Sequence, residues 1–219
     1  MIEITIYPDC GRDAKPYQEQ VEKACRETSE LFSRMGFVLE ELPIKKVVLL
    51  TDLHEARKTL AKEFDMPLEK IPATVAGTPK DTTLLMTDET IVYDMFNQLY
   101  REYNWDRKTE FYKCLKHEII HMFHEKVAIN EAGSADGMGP IWFFEGLAVQ
   151  CAEQFPQVEE QPLLEKNEIE EIISDSQTKS VSYIRYRRLM HTLVQRFSLE
   201  QLVKAAFNHA ELEALIKSL

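Results

Sequence analysis

Residues 117–121 read His-Glu-Ile-Ile-His, and their neighbours Ile119, Ile120, Met122 and Phe123 are apolar on several sides of the turn. Residues four apart on a helix stand one turn apart on the same face. The spacing therefore predicts a buried helix whose two imidazoles can reach one ion. Glu118 follows the first histidine and cannot point at that ion together with them. It falls beside a metal-bound water, where a general base belongs. A buried carboxylate next to two buried imidazoles is costly without a charge partner, and a dication supplies one. Two nitrogens leave a tetrahedral ion incomplete. Glu145, set in the apolar run Ile-Trp-Phe-Phe-Glu-Gly-Leu-Ala, is the candidate third ligand.

His124 lies on the same helical face as His117 and His121. His117 and His124 are about 10 Å apart along the axis, against metal–nitrogen bonds of about 2 Å. One ion cannot easily take both, so His124 reads as a core histidine or one supporting the ligands. Cys114, three residues before His117, reads as a buried packing thiol.

The pairing of this motif with Pro140-x-Trp142-x-x-Glu145-Gly146-x-Ala148 resembles the gluzincin metallopeptidases, and in particular the peptidase MA-like group. The likeness is close over 117–148 and extends weakly to the C-terminus; the first hundred residues match only in general layout. The resemblance implies an α+β, zincin-like fold and Zn2+ held by His117, His121 and Glu145. It also implies Glu118 as catalytic base and a peptide or protein as substrate. The metzincin pattern fails, because His124 stands where that family has Gly and Val127 where it has a third His. Gluzincins often carry an acid four positions after the Glu ligand, and here that position is Val149, with Gln150 and Glu153 nearby. Residues 180–197 resemble the family's C-terminal helix, whose leading Tyr corresponds to Tyr183. Tyr183, Tyr186 and His191 are the candidates for an oxyanion donor, with Tyr183 favoured by position. Two other readings stand beside the enzyme: a non-catalytic zinc-binding interaction domain on the same scaffold, and an acidic adaptor whose motif is accidental.

The rest of the chain supplies the frame. A length of 219 residues with 44% hydrophobic and 29% charged residues fits one globular domain with a sizeable core. The expected division is an α/β part over 1–128 carrying the motif helix, and a helical part over 129–219 carrying Glu145. A net charge of −11 argues against a nucleic-acid partner. No run approaches 18 apolar residues and no signal peptide opens the chain, so a cytoplasmic protein without a membrane partner is expected. Cys10, Cys25, Cys114 and Cys151 have no CxxC spacing.

Alternation predicts a strand over 2–7, with a turn at Pro8–Gly11, and the run Val47-Val48-Leu49-Leu50 marks a second strand over 44–50. Helical spacing predicts a helix over 16–35 ending at Gly36, and another from Thr51 or Asp52 to about Phe64, with His54 solvated in its first turn. Residues 65–80, rich in Pro and Gly, read as a connection. Thr82–Met86 reads as a strand, either an ordinary internal one or the cleft edge that binds substrate backbone. A helix from Asp88 or Thr90 through Tyr100 should bury Ile91, Met95 and Leu99. Asn104-Trp105-Asp106 should break the chain before a helix from Arg107 to about Ala128. Residues 130–139 hold three glycines and read as a loop, with Pro140 in the first turn of the next helix. The acidic segment 159–175 is a solvated helix face or a surface for a cation or partner. Arg185, Arg187 and Arg188 would pair with it or with a substrate carboxylate.

Overall fold

The computed structural model describes residues 2–8, 11–71, 76–101, 105–178 and 181–219. Expectations for Asp9, Cys10, Pro72, Asn104 and Ser180 lie outside them. The architecture is mixed, a small sheet accompanied by many helices, and in coarse terms α+β. The chain divides into two compact units, Met1–Thr28 with Glu41–Met122, and Ser29–Glu40 with Phe123–Leu219. Two of the three dividing points fall inside helices, α1 (Lys15–Arg34) and α4 (Arg107–Ala132). Among the described residues no helix is long and apolar enough to cross a membrane.

The first unit is built on β1 (Glu3–Tyr7), β2 (Lys46–Leu50), β3 (Gly77–Lys80) and β4 (Thr83–Thr87), in the order β1-β2-β4-β3. β1, β2 and β4 are parallel and β3 is antiparallel to β4. Alternation sends Val47, Leu49, Leu84 and Met86 to one face, where each is at most 1% exposed. On the other face Leu50 and Leu85 join Ala56 and Leu60 of α2 (Leu53–Glu63) and Ile71. Asp52 caps α2, its side chain accepting from the Glu55 N–H at 2.8 Å. The start of α1 packs on α4 through Tyr17 and Phe111, with ring centroids 5.8 Å apart, and through the Lys116–Glu27 ion pair at 2.9 Å.

Three expectations change here. Residues 65–80 hold a strand, β3. Pro79 hides it in the sequence, yet an edge strand tolerates a missing N–H on its outer side. β4 consequently lies between β2 and β3, so Thr82–Met86 is not the cleft edge. α3 (Glu89–Leu99), capped by Asp88, buries Val92 and Phe96, whereas Leu99 is 52% exposed. The buried stripe is one residue round from the predicted one because Phe96 seats edge-on against Trp105 at 5.0 Å.

The second unit holds the end of α4, α5 (Ile141–Cys151), α6 (Lys166–Ser176), α7 (Tyr183–Val194), α8 (Leu199–Ala206) and α9 (His209–Lys217). Phe32 from the discontinuous segment packs on Phe123 at 6.0 Å and His124 at 6.2 Å, and Phe37 packs on Phe207 at 5.7 Å. α4 continues to Ala132, a turn past the expected end, and stops where Gly133 takes φ 80°. The predicted loop shrinks accordingly, with a 3-10 turn at Ala135–Met138, and Pro140 sits just outside α5 as its N-cap. The basic cluster pairs with the acidic segment. Arg185 bonds Asp175 at 2.6 Å and Glu171 at 3.0 Å, and Arg188 lies 3.6 Å from Glu168. Arg187, 1% exposed, pairs with Glu159 and donates to the Gln154 carbonyl at 3.0 Å.

Candidate metal centre

α4 begins where Asp106 accepts from the Thr109 N–H at 2.9 Å. Its middle turns are apolar almost all round, with Leu115, Ile119, Ile120, Met122 and Phe123 at most 2% exposed. That burial fixes the rotation of the helix and leaves His117 and His121 stacked on one face. They are 5% and 9% exposed, their rings nearly perpendicular at 4.6 Å, their Nε2 atoms 2.9 Å apart. Two imidazole nitrogens this close need one proton shared between them or a cation before them both. One ligand atom each of His117, His121 and Glu145 lies within 4.8 Å of the others, so the group could hold a metal ion. The donor set, two neutral imidazoles and a carboxylate, suits a divalent ion of borderline softness. Among the described residues His124 is not part of this group. It is fully buried between Phe32 and Phe143, the latter at 6.0 Å, as a core histidine.

Glu145 stands half-buried on α5, among Trp142, Phe143, Leu147, Ala148 and Val149, all at most 3% exposed. At Gly146 beside it α7 runs close: a Cβ there would lie 3.1 Å from the Tyr186 carbonyl oxygen. Val149, one turn after Glu145, has no exposure. Tyr183 is the half-buried first residue of α7. Tyr186, one turn on, is 2% exposed. Burial pushes its phenol pKa up, and the Glu145 charge adds to the rise. His191 is half-buried in the last turn of α7, and His54 is exposed on α2. Cys114 is buried, as its place on α4 predicts.

Gly77 is the residue that sequence reasoning passed over. A Cβ there would lie 2.9 Å from Cγ of Glu118 and 2.7 Å from Sδ of Met86. Glycine thus lets the backbone of β3 run against the Glu118 side chain. Thr87 N–H donates to the Ala76 carbonyl at 2.7 Å, and antiparallel alternation then turns Thr78 and Lys80 toward β4. Gly77 and Pro79 face outward. The signal was the glycine itself, obscured by the prolines that made its surroundings read as a loop.

Taken together, this is a mixed α/β protein with a His-His-Glu group on two helices, its imidazoles buried and its Glu145 half-buried, and a carboxylate flanking the first histidine. No family model, no curated protein and no solved structure matches the chain.

Proposed function

We propose that this protein is a zinc-dependent peptidase of the zincin-like, gluzincin type. His117, His121 and Glu145 hold Zn2+, and Glu118 is the general base. The observation that carries the reading is the convergence of the three ligand atoms within 4.8 Å, one residue from a Glu118 side chain laid against an edge strand. A zinc ion bound there supplies a polarised water of lowered pKa.

The chain's own residues do the rest. The outward N–H and C=O of Gly77 bond an extended peptide backbone laid along β3, while Pro79 offers only its carbonyl. This holds a scissile bond beside the Glu118 carboxylate. Glu118 takes a proton during attack on the carbonyl and returns it to the departing amine. Of the three oxyanion donors considered, Tyr186 is better supported than Tyr183 or His191. It is buried, and it lies near enough to Glu145 to feel its charge.

The test is zinc content per chain together with turnover of a mixed peptide library. The parent is expected to carry about one zinc per chain, and Glu145→Ala much less. Glu118→Gln should keep its zinc and lose turnover. A parent without zinc after dialysis against the metal, or a Glu118→Gln variant with full activity, would refute the proposal. A zinc-loaded parent that cleaves nothing would leave a non-catalytic zinc-binding domain in its place.

A further inference from the structure

The two edges of the sheet are built differently. β3 has four residues, and with Pro79 lacking an N–H only Gly77 offers an outward donor along it. β1, at the other edge, reads Glu-Ile-Thr-Ile-Tyr, with neither proline nor lysine and with residues suited to strands. Glu3 N–H donates to the Lys45 carbonyl, and Thr51 N–H donates to the Tyr7 carbonyl, both at 2.9 Å. Glu3 and Tyr7 therefore turn their backbone groups toward β2, and so by alternation does Thr5. The N–H and C=O groups of Ile4 and Ile6 point the other way. Among the described residues no strand pairs with that side.

The side chains of Ile4 and Ile6 lie in register with Val47 and Leu49, which are buried, yet both isoleucines are only half-buried. They are the open margin of an otherwise covered apolar layer. The pattern is also symmetric about Thr5, with an isoleucine on each side.

We propose that two copies of this chain pair through β1, antiparallel about a twofold axis at Thr5, joining their sheets into one. Ile4 of each copy then faces Ile6 of the other as a hydrogen-bonded pair, giving four N–H···O bonds and two apolar cross-strand contacts. Glu3 faces the second copy's Tyr7, so no acid confronts an acid, and it keeps its 2.8 Å bond to Lys46. The contact is isologous and closes on itself. It is also small, and each copy carries a net charge of −11, so the dimer is weak and is strengthened by salt.

Two measurements test this on the full chain. Analytical ultracentrifugation should show the mass rising toward twice that of one chain as concentration and salt increase. Ile4→Pro should hold it at one chain, because that proline removes an outward N–H and leaves the β2 ladder intact. The second measurement fixes the register and does not depend on the proline variant folding. In a Cys10→Ser background, Thr5→Cys places two thiols opposite each other as a close non-hydrogen-bonded pair, Cα atoms about 4.5 Å apart. Mild oxidation should crosslink it at least tenfold faster than Tyr7→Cys, which faces Glu3. A parent that stays at one chain mass at every concentration would overturn the pairing. Equal crosslinking of the two cysteine variants, or none, would overturn the register.

Discussion

Replacing Gly146 by alanine sets two opposing effects against each other at the residue beside Glu145. Inside a helix the change alone favours the folded state by about 0.5–1 kcal/mol, since alanine loses less backbone freedom. The structure opposes it. The new methyl would lie 3.1 Å from the Tyr186 carbonyl oxygen and 3.6 Å from Cβ and Cε of Met190, where ordinary contact begins at 3.4 Å. Met190 can rearrange its tip, but the carbonyl belongs to the backbone of α7. That helix is held by the buried side chains of Tyr186, Leu189, Met190 and Leu193. α5 and α7 must part by a few tenths of an ångström, and overpacking of this kind costs about 1–3 kcal/mol. The expected net is a loss of about 1 kcal/mol, read as a lower urea midpoint at an unchanged m-value. Because Glu145 rides on the displaced turn, affinity for the proposed zinc should fall as well. A variant more stable than the parent would show that propensity wins and that the two helices do not meet this closely at Gly146.

Two further substitutions probe the first unit. Gly77→Ala pushes a methyl against Glu118 Cγ and Met86 Sδ. On the proposed peptidase reading, displacing the Glu118 carboxylate by about 1 Å should cost roughly a hundredfold in kcat/KM with metal content unchanged; undiminished turnover would remove β3 from the proposed active site. Glu110 is 5% exposed, and among the described residues its Oε2 has no hydrogen-bond partner, although Lys113 lies 3.0 Å from Oε1. Burial raises its pKa above the ordinary 4.5, with Lys113 pulling the other way. The folded state thus holds this proton more tightly than the unfolded chain does. Its contribution is fully present below 4.5 and is lost as pH rises through the folded value. Glu110→Gln should flatten that decline in Tm above pH 4.5; an identical pH profile would exclude the group.

The candidate site was legible where the chemistry needs fixed spacing. The four-residue interval between His117 and His121 permits one face of a helix, and an acid amid Trp142, Phe143, Leu147 and Ala148 demands a partner. Long periodic elements such as α1 and α4 were equally plain. The misses share a cause, in that tertiary contacts outvoted local signals. Pro79 argues against a strand, but an outward position on an edge makes it harmless. Val92 and Phe96 were chosen over Ile91 and Met95 by the aromatic seat at Trp105. α4 ran past Ala128 because Asn130, Glu131 and Ala132 tolerate a helix and Gly133 offers the first left-handed stop. Nothing in a pattern of apolar residues announces that Gly77 must be bare for Glu118 to lie against it.

The helical unit is not contiguous in the chain, and this limits how it can be isolated. Residues 29–40 are separated from the rest of it by more than eighty residues, yet they bring Phe32 and Phe37, which are 1% and 5% exposed. A fragment starting at Phe123 would leave Phe123, His124 and Phe207 without the rings they pack on. Losing a buried phenylalanine costs about 3–5 kcal/mol, and a whole domain holds only about 5–15 kcal/mol in reserve. A single cut between the two segments, by a protease or a cloning primer, therefore cannot release a stable C-terminal piece. On the ribosome, too, the early strap must wait for partners synthesised long after it.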